Sequence, residues 1–161
     1  MALRGVADAE GLQIPLGQEG ALAEALPRWS AFPDVPPALR QLRARGWKLA
    51  ILSNTDPDLL AASIRQLGVE PDLAITAREA GSYKPAHGHW FRFMEATGVD
   101  RSRHVHVAAS PFHDLAPAAE LGIQAVWINR QRERTGLPRA AELPDLSGLP
   151  DALDRLVPQS R

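Results

Sequence analysis

The 161-residue sequence has no cysteine and only one tyrosine and two methionines, and none of its apolar runs approaches the roughly 20 residues that a membrane-spanning helix needs. The missing cysteine excludes disulfides, thiol nucleophiles and zinc-thiolate sites together, and fits a reducing cytoplasm, the expected location. Neither sign of charge prevails: 18 Lys and Arg stand against 19 Asp and Glu, for a net charge of −1. The basic residues are dispersed and no aromatic-basic platform accompanies them, so nucleic acid is not an expected partner. The opening MALRGVADAEGLQIPLGQEG lacks the long apolar core of a signal peptide, so a soluble chain with no membrane partner is expected. Internal repeats and low-complexity segments are absent as well.

What is present suits one globular domain, with 45% apolar residues in a chain long enough to bury a core. Residues 1–20 carry four glycines and no sustained periodicity. ALAEALPRW, residues 21–29, suits a short helix, and SAFPDVP a Pro-rich turn. Beyond it, Pro36 and Pro37 fit a helix's first turn, Leu39 and Leu42 lie three apart, and Gly46 ends the pattern. A strand over 47–53, a helix over 57–67 and a strand in PDLAITA come next. Then come a helix in AHGHWFRFMEATG, a strand in RHVHVAAS, a helix near 115–121 and a strand in QAVWINR. The Pro-rich tail finishes in a short amphipathic helix through Leu149, Leu153 and Leu156. Strand and helix alternating across short connections predict a doubly wound, Rossmann-like α/β fold, a mainly parallel sheet with helices on both faces.

Ligands of such sheets sit beyond the carboxyl ends of the strands, which selects the candidates. Ser53, Asn54 and Thr55 end the apolar run LAIL, where hydroxyls, an amide and helix-start N–H groups can hold a phosphate or carboxylate; capping alone would also explain them. Lys84, in GSYKPAHG, is placed either as a solvated loop residue or as an anion's partner. Ala108, Ala109 and Ser110 allow a ligand close to the backbone. Asp114 is expected to open the next helix and to face Lys84. The pairs His87-x-His89 and His104-x-His106 read as core or surface histidines rather than metal ligands, and Trp29, Trp47, Trp90 and Trp127 as core or interface anchors.

Taken together, LAILSNT, GSYKPAHGHW and HVAASPFHDLAPAAELGIQAVWINR resemble the second, third and fourth motifs of the haloacid dehalogenase-like hydrolases, in particular their type II haloacid dehalogenase branch. The resemblance implies a two-step displacement in which an Asp attacks phosphorus or a halogen-bearing carbon and water then hydrolyses the covalent intermediate. It gives Ser53 a hydrogen bond to the transferring group, with Asn54, Thr55 and Ser110 beside it, and gives Lys84 charge neutralisation. Asp114 becomes a ligand for Mg²⁺ in the phosphatases. The family's N-terminal DxDGT motif does not occur, and VADAEGL offers Asp8 as a nucleophile and Asp8 with Glu10 as further metal ligands. Ala109 stands where many phosphatases carry an acid.

The expected organisation is therefore a leader with a cap remnant over 1–30 and a core over 31–161. The first reading of function is a phosphatase acting on small anionic phosphate esters; a 2-haloacid dehalogenase-type hydrolase is the alternative, and after it a catalytically silent, truncated binding or oligomerising member. In this superfamily the first strand lies between the strands ending at Ser53 and Ala108. Its place is expected to be filled by residues 2–8, by direct pairing of the two flanking strands, or by another chain, which makes a homodimer an expected assembly.

Overall fold

The computed structural model describes residues 7–8, 11–18 and 20–158. The expectations placed on residues 2–6 and on Glu10 lie outside the described residues.

A short helix α1 (Ala21–Ala25) and a 3-10 turn (Leu26–Arg28) lead to α2 (Val35–Ala44), whose first turn holds Pro36 and Pro37, where no amide is required. It buries Ala38 and Leu42 and ends at Gly46, whose φ of +86° suits a residue without Cβ. β1 (Ala50–Ser53) comes next, and α3 (Pro57–Leu67) runs back to the left-handed cap Gly68. β2 (Leu73–Thr76) pairs parallel with β1 in the register Ala50↔Leu73 to Ser53↔Thr76. Asp72 ties that pairing at its start: its carboxylate accepts from the Leu49 amide at 2.7 Å and binds Arg43, which holds its pKa down at about 2.

Beyond β2 come a single turn α4 (Ala77–Ala80), closed by a Thr76–Glu79 capping box, and α5 (Gly88–Thr97). β3 (Val105–Ala108), a turn over Pro111–Leu115, α6 (Ala116–Glu120) and β4 (Gln124–Ile128) complete a second parallel unit. β5 (Ala141–Leu143) joins β4 in parallel, and α7 (Leu149–Leu156) ends the fold. Neither β5 nor α4 is expected from the sequence, since three or four residues are too few to show a period.

β4 shows why both faces of the sheet are covered. Ala125 and Trp127 pack with Trp90, Leu115, Leu121 and Ile123 on one side, while Val126 and Ile128 pack with Leu42, Leu149 and Leu153 on the other. A strand buried on both faces has to be apolar throughout, and AVWI is. Trp90 and Trp127 are thus core anchors. Trp47 borders the second cluster with its Nε1 on Asp154, and Trp29 is exposed. Among the described residues no helix is long and apolar enough to cross a membrane.

The strands form two sheets, β1-β2 and β3-β4-β5. The expected direct pairing of the strands ending at Ser53 and Ala108 is not found: a cleft of about 1030 Å³ separates β1 from β3. Strand alternation shows which groups line it. The Leu49 carbonyl bonds to β2, so the main-chain groups of Ala50 and Leu52 point the other way, into the cleft. On the far side the β4 groups bonded to β5 leave their alternates for β3, and by the β3–β4 register Val105 and Val107 also face the cleft. Leu42, Leu149 and Leu153 line one side of this space and Phe93 the other.

Candidate functional site

The carboxyl ends of β1 and β3 meet over one ion pair. Lys84 Nζ donates to the Leu52 carbonyl at 2.9 Å and to Asp114 Oδ1 at 2.7 Å. Both side chains are nearly closed off, at 12% and 8% exposure. Asn54 clamps the backbone of Lys84 from both sides: its Oδ1 accepts the Lys84 amide at 2.7 Å and its Nδ2 donates to the Lys84 carbonyl at 3.1 Å. Pro85 is joined to Lys84 through a cis peptide bond. An ammonium has three donors, and two have partners among the described residues, leaving the third for a ligand.

Asp114 is placed by the turn after β3. Ser110 caps it, its Oγ accepting the His113 amide at 3.2 Å. The Leu115 amide reaches the Ser110 carbonyl, and the Ala116 amide the Pro111 carbonyl, each across five residues. This wider, π-type turn aims Asp114 inward. The cap of this turn is Ser110, and the Asp114 carboxylate is spent on Lys84 and His106. Trp127 Nε1 donates to the Ala109 carbonyl at 2.9 Å and fixes the strand's exit.

Two histidines that the sequence leaves as core or surface residues border this pair. His106 Nε2 donates to Asp114 Oδ1 at 3.1 Å, and His89 Nε2 donates to the Ser53 carbonyl at 2.9 Å. The period-two spacing of His104 and His106 correctly puts them on one face, and only the backbone path of the Ser110 turn reveals that this face meets Asp114. Burial alone would push the Asp114 carboxyl up; the His106 hydrogen bond and the Lys84 charge outweigh it and hold it below the ordinary value. Burial lowers His89, and takes His104, packed 4.5 Å from the Phe93 ring centre and beside His106, down to about 4.

Of the remaining candidates, Ser53 accepts the Thr55 amide on Oγ at 3.1 Å, so Ser53, Asn54, Thr55, Lys84 and Asp114 form one corner, with Ser110 at the base of the turn. Asp8 is exposed, and no hydrogen bond or ion pair joins it to this corner among the described residues. The described residues do not fit Mg²⁺: Asp114 is the one carboxylate among them in the corner, and an ammonium and an imidazole already share its Oδ1. Among the described residues no group of three or more His, Asp or Glu is placed to hold a metal ion. His87 and His89 do not converge either, since His87 turns to Glu120 at 2.8 Å.

A parallel α/β layer with its polar corner at the strand ends defines a Rossmann-like protein. The family model described as haloacid dehalogenase-like hydrolase matches residues 1–122, and the chain belongs to that family. It is 33% identical over 131 residues to an (S)-2-haloacid dehalogenase of Pseudomonas sp. (strain YL), covering 80% of this chain and 56% of that one. It is 30% identical over 105 residues to a phosphoserine phosphatase of Thermus thermophilus, covering 64% and 42%. The structure of a 2-haloacid dehalogenase from Pseudomonas syringae pv. Tomato matches at 32% identity and a TM-score of 0.67, over 78% of this chain and 54% of the other. That of a phosphatase from Thermococcus onnurineus matches at 28% and 0.72, over 91% and 68%. The chain spans about half the length of the first two curated relatives it matches.

Proposed function

We propose that this chain forms the core of a 2-haloacid dehalogenase-type hydrolase acting on a small carboxylate that carries a halogen on the adjacent carbon. The observation that carries the reading is the lysine corner. Lys84 is held by Leu52 and Asp114 with one donor to spare, beside Ser53, Asn54 and Thr55, an arrangement for gripping an anion without a metal ion. Relatives named as haloacid dehalogenases support this reading over the phosphate-ester one expected first from the sequence. So does the poor fit of the corner to Mg²⁺. In this reading Lys84 neutralises the negative charge that collects on substrate and leaving group. Asp114 and His106 keep the ammonium in place, Asn54 holds the Lys84 backbone, and Ser53 orients the substrate. Asp8 is the sequence's candidate nucleophile, without a hydrogen bond or ion pair to this corner among the described residues; brought to it, its carboxylate would attack the halogen-bearing carbon as halide departs, and water would then hydrolyse the ester formed.

The test is halide release from L-2-chloropropionate in the presence of a chelator, beside phosphate release from p-nitrophenyl phosphate with and without Mg²⁺. Chloride release unaffected by the chelator, and lowered about 100-fold or more in Lys84→Ala, supports the proposal. Asp8→Asn must abolish it, or the nucleophile is assigned wrongly. Mg²⁺-dependent phosphate release without chloride release would reverse the choice of substrate. Absence of both would leave a silent member.

A further inference from the structure

We infer that His89 is a positioning residue for the lysine corner: from the first turn of α5 it donates Nε2–H to the Ser53 carbonyl and so fixes the Ser53–Asn54 peptide, through which Lys84 is held. The Ser53 carbonyl needs such a donor because the ladder between β1 and β2 runs out there. The Leu73 amide reaches the Leu49 carbonyl, so by the register the Ile75 amide serves Ile51, and Ser53 would look to the Ala77 amide, which already belongs to α4. His89 takes the place of that rung, at 2.9 Å. It reaches Ser53 because Gly88, without a Cβ, lets α5 start hard against the 80–82 backbone, where a Cβ would lie 2.5 Å from the Ala80 carbonyl oxygen. Asn54, the next residue, spends its side-chain amide on both backbone groups of Lys84. The 84–89 segment therefore grips Ser53 and Asn54 twice, through Lys84 at its start and His89 at its end.

The other ring nitrogen argues against a merely space-filling role. His89 is fully buried, and its Nδ1 has no partner among the described residues. A carbonyl can only accept, so Nε2 carries the proton and Nδ1 is left as an unpaired acceptor, a cost that a leucine in the same place would avoid. Burial, the largest cause, and the charge of Lys84 hold the ring's pKa below its ordinary value, so it stays neutral and adds no second cation beside the ammonium.

The test compares His89→Leu, which loses the donor, with His89→Gln, whose amide nitrogen reaches about as far as Nε2. In the full chain, hydrogen exchange at the Lys84 amide, which Asn54 holds, should speed up about tenfold or more in His89→Leu and stay within about threefold of wild type in His89→Gln, with the β4 amides untouched in both. His89→Asn, too short to reach the carbonyl, should behave as His89→Leu and stands in for it if the leucine variant does not fold. Halide release, which rests on the hydrolase reading above, should lose about tenfold in kcat with KM little changed in His89→Leu, and recover in His89→Gln. Nitrogen NMR of the wild-type ring near neutral pH should find the proton on Nε2. Lys84 exchange alike in His89→Leu and His89→Gln, or no faster in His89→Leu than in wild type, overturns the proposal and reduces His89 to filling space. A proton on Nδ1 overturns it too, as does halide release unchanged in His89→Leu. If the wild type releases no halide, the substrate reading fails, and exchange at Lys84 still decides the role of His89.

Discussion

Lys84 and Asp114 join two sheets that share no strand. One end of the ammonium's contacts is the Leu52 carbonyl on β1, and the other is a carboxylate placed by the turn after β3. The pair is a clasp across the cleft before it is anything else, which separates its structural from its catalytic effects.

Lys84→Met strands the buried Asp114 carboxylate, and Asp114→Asn strands the ammonium. Each is expected to destabilise the fold by about 3 kcal/mol in urea unfolding, the cost of a buried charge without its partner. The double substitution should cost clearly less than the sum of the two. Additive losses would mean that the clasp contributes nothing as a pair.

Gly88 opens α5 against the 80–82 backbone. A Cβ there would collide with Ser82 Oγ and lie 2.5 Å from the Ala80 carbonyl oxygen. Gly88→Ala should therefore cost about 1–3 kcal/mol by overpacking. Because the 82–84 segment must yield, the resonances of Lys84 should shift while those of β4 stay in place. A neutral substitution in thermal melts would contradict the packing described.

His104 should make stability depend on pH. Its pKa falls from 6.5 to about 4 on folding because burial disfavours the imidazolium, so between those values the unfolded chain binds more protons. Stability from this group is complete above pH 6.5 and declines as pH drops toward 4, a loss on the order of 3 kcal/mol. Urea midpoints between pH 7 and 4 should flatten in His104→Leu. An unchanged slope would assign the acid sensitivity elsewhere.

Asp34 accepts from Arg130 at 2.6 Å and from the Leu146 amide at 2.8 Å, and so ties α2 to the end of β4 and to the loop before α7. The Arg130 hydrogen bond holds its carboxyl below the usual 3.8. The stabilisation is present above 3.8 and lost as pH falls through the lowered value. Asp34→Asn should cost about 2 kcal/mol at pH 7 and correspondingly less in strong acid, read by urea unfolding at both pH values.

The parallel units were legible because LAIL and AVWI are apolar runs bounded by turn residues, and because Gly68 and Gly122 stop helices at regular intervals. Ser53, Lys84 and Asp114 were legible from their places beyond the carboxyl ends of strands, where a parallel sheet puts its ligands. His106 and His89 were not: a buried histidine looks alike in sequence whether it fills space or donates to a partner, and that partner lies 8 residues away in one case and 36 in the other. β5 escaped because three residues in a Pro-rich tail carry no period, and their pairing is decided by β4. The open cleft falls where the sequence puts the family's first strand, between the strands ending at Ser53 and Ala108.

The turn over Pro111–Leu115 spans one residue more per hydrogen-bonded ring than an α-helical turn would. Asp114 faces Lys84 only with that count intact. Deleting a single residue between Ser110 and Asp114 would let an ordinary helix form and swing position 114 by about 100°, away from the ammonium. Between Ser110 and Ala116, the number of residues is itself part of the site, as binding as the identity of any one of them.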